Sequence, residues 1–182
     1  MRSIMLLLAL AMCACSAGGA APRENASAAA VELSDAEKSL IDAIAANDIA
    51  EIELSKLAKI KSESRTLREF AQTIIDDDSA NYAALFKLCL QQRNPIAPQL
   101  DERHREILRR LRTTSASGVF GRRYLDTIML DQTERHARLE QTSADALNDE
   151  LAQFAAATQQ MVEKHEQMAR DLGSSSDAVT FE

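Results

Sequence analysis

Tryptophan is missing from these 182 residues, tyrosine occurs twice, and aromatic side chains make up 4 % of the chain. Sandwiches and barrels draw on aromatic and β-branched side chains for their strands, so this scarcity argues against an all-β protein. With 5 glycines and 3 prolines there are too few turn formers for many short strands. Cysteine is as sparse: of Cys13, Cys15 and Cys89, only Cys89 lies within the expected folded part, so no disulfide framework can form. Basic charge is also short, 21 Lys and Arg against 28 Asp and Glu, for a net charge of -7. Loss of residues 1–14, which contain only Arg2, leaves 20 basic against 28 acidic groups, or -8. That balance excludes nucleic acid as a natural partner. Nor is there a Gly-rich phosphate loop, a Ser/His/Asp order in strand-turn-helix context, or a Cys-x-x-Cys inside the domain, so catalysis has little to stand on.

What the chain does have is Ala, Leu, Glu, Gln and Arg, residues that lose little side-chain freedom in a helix. Together with 46 % hydrophobic residues they predict an all-α protein. The length suits one domain, since ~150 residues bury roughly two-thirds of their unfolded surface.

The first residues predict export. Met1-Arg2-Ser3 is a short cationic start, and Ile4 to Met12 is an uncharged apolar run, far below the ~20 residues that span a bilayer. Met12-Cys13-Ala14-Cys15-Ser16 resembles a lipobox, with Ala14 before the acceptor Cys15 and Met12 where Leu is more usual. Cys13, preceded by bulky Met12, is the weaker acceptor. The competing outcome is an ordinary cleavage near Gly19-Ala20-Ala21 that discards both cysteines. By similarity to Gram-negative lipoproteins, Ser16 lacks the inner-membrane retention signal, which points to an outer-membrane lipoprotein facing the periplasm and held to the membrane by its lipid.

Four segments follow: a signal peptide over 1–14, a flexible tether over 15–33, a helical bundle over 34–172 and a disordered tail over 173–182. The tether is Ala, Gly, Ser and Pro with few charges, too little apolar surface to offset the entropy of ordering. Ser34 and Glu37 form a capping box that opens a helix reaching Lys61. A second helix covers Ser64 to Arg93 and stops at Asn94-Pro95-Ile96-Ala97-Pro98. A short helix over Asp101 to Arg112 and long ones over Ser117 to Thr142 and Asp145 to Leu172 complete the pattern. Four long helices with a short one in the long crossover predict a ferritin-like antiparallel four-helix bundle.

Polar residues interrupt the apolar seams, which are read at alternating steps of three and four. The first helix gives Leu40, Ile44, Asn47, Glu51, Leu54 and Ala58; the second gives Leu67, Ala71, Ile74, Asp78, Asn81, Leu85 and Leu88, with Cys89 beside it as a buried small hydrophobe. The fourth gives Gly121, Leu125, Ile128, Gln132, Arg135 and Leu139, and the last places Thr158 and His165 among Leu147, Leu151, Phe154, Met161, Met168 and Leu172. Buried polar groups cost free energy unless paired, so these are expected to meet. Glu51, Asp78, Gln132 and His165 form the candidate layer. Two readings stay open: a hydrogen-bonded network of Asn47, Asn81, Tyr124 and Gln132 that fixes helix register, or a divalent-metal site of Glu51, Asp78 and His165. A di-iron bundle expects two Glu-x-x-His pairs, and none exists here.

From about Leu40 to Leu172 the chain resembles the bacterial domain of unknown function 4142 family, ferritin-like helical proteins often labelled predicted outer membrane proteins. The resemblance rests on Ala50-Glu51-Ile52-Glu53-Leu54-Ser55-Lys56-Leu57-Ala58, on Phe70-Ala71-Gln72 leading to Ile75-Asp76-Asp77-Asp78, on Tyr124-Leu125-Asp126 and on His165. It implies an Asp-His pair on the second helix and another on the fourth. Those positions read Asp77-Asp78 and Asp131-Gln132, so by this resemblance two of three seam histidines are replaced and the site is degenerate.

Arg103, Arg105, Arg109, Arg110, Arg112, Arg122 and Arg123 form a basic cluster that fits anionic headgroups or a solvated face balanced by Asp101, Glu102 and Glu106. His104 and His136 sit among charged neighbours and are expected to be exposed, and of Asp76, Asp77 and Asp78 only Asp78 is expected to face the seam. The function these features imply is a lipid-anchored, non-catalytic periplasmic bundle acting in the envelope by interaction. The alternative is a metal-binding or metal-dependent redox protein of ferritin-like descent.

Overall fold

A computed structural model describes residues 32–97, 99–115, 118–142 and 147–174. The expected leader and tether up to residue 31, with Cys13 and Cys15, and residues 175–182 of the expected tail lie outside the described residues. The described residues form five helices: α1 (Asp35–Lys61), α2 (Arg65–Gln91), α3 (Glu102–Thr113), α4 (Gly118–Gln141) and α5 (Asp149–Ser174). Among the described residues there is no strand.

Side chains set most helix starts by satisfying free backbone N–H groups. At α1 the Glu37 N–H donates to Ser34 Oγ at 3.2 Å and the Ser34 N–H donates to Glu37 Oε2 at 2.7 Å, the reciprocal box expected there. Ser64 accepts from the Leu67 N–H, Asp101 from that of His104 and Asn148 from that of Leu151. The cap at Asn148 is why α5 begins later than Asp145. Its other end runs on through Gly173 to Ser174, past the expected stop at Leu172.

The end of α2 falls two residues before the expected Arg93. The Arg93 N–H donates to the Leu90 carbonyl and the Asn94 N–H to the Cys89 carbonyl, with Arg93 in the left-handed region at φ 58°. This double closure satisfies carbonyls that the helix leaves open and turns the chain toward Pro95.

Contacts between helices fix their directions. Asp48 meets Asn81 while Lys59 meets Gln72, so α1 and α2 are antiparallel. Glu51 with Gln132 and Ser55 with Tyr124 make α4 antiparallel to α1. Asp77 with His165 and Asn81 with Thr158 make α5 antiparallel to α2. The long helices thus pack as a ring in the order α1, α2, α5, α4, a helical bundle. Because α2 and α4 run the same way on a diagonal, the chain between them has to return along the bundle, about 40 Å for a helix of this length. Helix α3 lies in that return, packed on α1 and α4 through buried His104, Leu108 and Leu111.

Two apolar cores fill the ends of the ring. One gathers Leu54, Leu67, Phe70, Ile74, Phe120 and Ile128, the other Leu33, Ile44, Leu85, Cys89, Leu151 and Val162. Each fully buried large side chain contributes about 1.5–3 kcal/mol, which offsets the cost of the polar layer between the two cores. Leu33, assigned to the tether from sequence, is 3 % exposed and belongs to the second core. Among the described residues its side chain is the first that is buried, so the bundle reaches at least one residue before Ser34.

Candidate polar centre

The polar layer draws on all four long helices. Glu51 from α1, Asp78 from α2, Gln132 from α4 and His165 from α5 are each 0 % exposed. Gln132 Nε2 donates one hydrogen to Glu51 Oε2 at 2.7 Å and the other to His165 Nδ1 at 3.1 Å. An amide nitrogen can only donate, so Nδ1 is the bare nitrogen of the ring and Nε2 carries the hydrogen. That hydrogen goes to Asp77 Oδ2 at 2.9 Å, which also receives Lys164 Nζ at 2.7 Å. Sequence reasoning turned Asp77 away from the seam. It points instead into the α2–α5 groove, because the bundle places α5 on that flank of α2.

A second tier lies one turn along. Arg135, 1 % exposed, donates from one amino group to Asp48 on α1 and from the other to Asp78 on α2, at 3.3 Å. Asn81 donates to both oxygens of Asp48, at 2.9 and 3.2 Å, and accepts from Thr158 at 3.0 Å. The inward residue of α1 here is Asp48; Asn47, expected in the network, is half-buried and its side chain makes no hydrogen bond to a described residue. Helix α1 packs on both α2 and α4, so its buried face is wider than one seam. Residues 41, 44, 48, 51, 55 and 58 form a stripe as regular as the one read from sequence. Tyr124, at the other edge, shares a 2.8 Å hydrogen bond with Ser55 and has no hydrogen bond to Gln132 or Asn81.

Charge follows from this packing. Burial, reinforced by the charge of Asp48 and opposed by Arg135, pushes Asp78 up to about 8. Burial and the neighbouring Asp78 push Glu51 well above the ordinary carboxylate range. Burial also raises Asp48, with Arg135 working against it. Burial opposes the charged form of Arg135, but Asp48 and then Asp78 outweigh it and keep the guanidinium protonated. Of the two carboxyls that Arg135 touches, Asp48 is the nearer and the one that its charge favours most. Burial lowers His165 despite its contact with Asp77, which leaves the imidazole neutral. Gln132 Oε1 is buried without a hydrogen-bond partner, and no N–H reaches Glu51 Oε1 or Asp78 Oδ2, although the two carboxyls are close enough to share a proton.

The two remaining histidines correct the expectation of exposure. His104 is 1 % exposed, its Nδ1 2.6 Å from Asp101 Oδ2 and its Nε2 3.4 Å from Asp131 Oδ2 on α4. Arg103 adds a 2.8 Å ion pair to Asp131. Charged neighbours in sequence suggested solvent, whereas here they are the partners that make burial affordable. His136 is half-buried and accepts from Gln159 at 3.1 Å. Three of the seven arginines in the cluster are paired within α3: Arg105 with Glu102, and Arg109 and Arg110 with Glu106.

No curated protein and no solved structure matches the chain. Residues 22–172 match the family described as a domain of unknown function (DUF4142), and the chain belongs to that family.

Proposed function

We propose that this protein is a lipid-anchored bundle, ferritin-like in descent, that acts without catalysis in the cell envelope, on the periplasmic face of the outer membrane. The observation that carries the non-catalytic part is closure. Every side chain of the polar centre that has unused chemistry is cut off from solvent, so a molecular substrate has no surface to bind there. The ferritin-like part is supported by four long helices in a ring with a return crossover between α2 and α4.

Anchoring is supported by the apolar run that ends in Met12-Cys13-Ala14-Cys15. Among the described residues no helix is long and apolar enough to cross a membrane, so attachment falls to an acyl group on Cys15. Several acyl chains hold stably where one is marginal, since each buried methylene contributes about 0.8 kcal/mol. Radiolabelled palmitate fed to cells making the full chain tests this. Label is expected in the wild type and in Cys13→Ser and is expected to vanish in Cys15→Ser, with the labelled protein in the outer-membrane fraction. An unlabelled wild type sinks the anchor.

A further inference from the structure

We propose that Glu51, Asp78 and His165 form a buried site for one divalent transition-metal cation. The three come from α1, α2 and α5, and one ligand atom of each lies within 4.8 Å of the other two. Three observations point to a cation here.

The first is unmet bonding capacity. Gln132 Oε1 is buried without a partner, and no N–H reaches Glu51 Oε1 or Asp78 Oδ2, whose carboxyls have only each other to share a proton with. Oxygens of this kind are rare in folded proteins and call for a missing partner.

The second is charge. Asp48, Glu51 and Asp78 are three carboxyl groups in one sealed volume, and among the described residues Arg135 is the one cation that pairs with them. With all of them ionised the volume is two positive charges short, which is what a dication supplies. Asp131 stands outside this count, because Arg103 and His104 hold it from the α3 side.

The third is the orientation of His165. Metal-bound imidazoles characteristically donate their other N–H to a carboxylate, which fixes the ring and turns the bare nitrogen to the ion. Asp77 does this to Nε2, leaving Nδ1 facing the layer. At present Nδ1 accepts from Gln132, so a cation displaces that amide hydrogen and Gln132 keeps its bond to Glu51.

Two oxygens and one nitrogen suit zinc, manganese or ferrous iron, whereas calcium takes six to eight oxygens, at least three times the oxygens offered here. Donors around a tetrahedral ion at about 2.0–2.2 Å sit roughly 3.3 Å apart, so binding draws the three side chains together. Access lies on the α2–α5 side. Asp77 lines a surface groove of about 360 Å³ and is itself in contact with His165, one side chain from the site. The inference is independent of the lipid anchor, which involves no residue of the bundle.

The test is metal stoichiometry of the full chain, stripped with chelator and dialysed against zinc, manganese or calcium chloride, in a Cys13→Ser/Cys15→Ser background. One equivalent of zinc or manganese per chain is expected, none of calcium, with a rise in thermal midpoint. Asp78→Asn and Glu51→Gln, which keep the side-chain shape, are expected to lose the bound ion, and Asp77→Asn to weaken binding by about 10–100-fold. His165→Ala is expected to behave as Asp78→Asn if it folds by circular dichroism. A folded wild type that takes up no ion, or an equivalent retained in both Asp78→Asn and Glu51→Gln, overturns the proposal. Palmitate labelling without metal uptake separates its failure from that of the anchor.

Discussion

Arg135 on α4 reaches Asp78 on α2 at 3.3 Å while its second amino group holds Asp48 on α1, so a single buried cation ties three helices at mid-height. Truncation to Arg135→Met leaves the Asp48 charge without its partner. Removing one member of a buried pair typically costs about 3–5 kcal/mol, and that loss is expected in urea denaturation at pH 7. Adding Asp48→Leu to Arg135→Met is expected to recover a large part of it, because the stranded charge is then gone. Equal losses in the single and double variants would show that the guanidinium acts by packing alone.

His104 predicts a pH-dependent grip of α3 on the bundle. Burial works against its charged form, but Asp131 and then Asp101 outweigh it and raise its pKa. Its contribution is therefore full below the unfolded value of about 6.5 and is lost as pH rises through the higher folded value. Asp101 has the opposite sign. Burial raises it, yet hydrogen bonds and charge from His104 prevail and lower it, so its contribution fades only as pH falls below about 3.9. The crossover helix is expected to be tightest between these limits. Amide exchange at Leu108 and Leu111, corrected for the intrinsic rate, should speed up above neutral pH in the wild type and lose that step in His104→Gln. An unchanged step in His104→Gln would assign it to another group.

The helices were legible because their signals are local. Ser34 with Glu37 announced α1, and the prolines after Asn94 closed α2. The layer of Glu51, Asp78, Gln132 and His165 was legible too, since each interrupts an apolar seam at regular spacing. Asp48, Asp77 and the burial of His104 were not. Each depends on which helix lies on which flank, and a single helix carries no record of its neighbours. Asp48 alone left a trace: it sits three residues before Glu51 on a second regular stripe, visible once α1 is allowed two partners.

Arg93 is an uncommon residue for its place. Its φ of 58° lies in the left-handed region, where a side chain crowds the backbone and glycine does not. Its own side chain is exposed and makes no ion pair with another described residue. Arg93→Gly is therefore expected to raise the stability of the fold by up to about 1 kcal/mol, with the ends of α2 unchanged. A loss of stability would mean that the arginine side chain contributes an interaction with Leu33, Ile41 or Asp42, which line one surface groove with it.

Glu37 does more than close a capping box. Its Oε2 accepts from the Ser34 N–H at 2.7 Å, while its Oε1 accepts from the Asn148 N–H at 2.9 Å and from Asn148 Nδ2 at 2.8 Å. Asn148 in turn caps α5, so one carboxylate joins the starts of two parallel helices that are far apart in sequence. Loss of an ordinary N-cap costs about 1 kcal/mol, which is the expectation for Ser34→Ala. Glu37→Ala strands the donors on both helices and is expected to cost about 2 kcal/mol or more in urea denaturation. The same residue sets a pH signature. Burial would raise its pKa, but the hydrogen bonds from Asn148 and Ser34 prevail and lower it. Stability from Glu37 is thus present above its unfolded value of about 4.3 and lost as pH falls through the lower folded value. The wild type should lose more stability than Glu37→Ala as pH falls below about 4.3, so the gap between their unfolding free energies narrows with acid. A gap that stays constant over that range would mean that the carboxylate is not the acceptor joining α1 to α5.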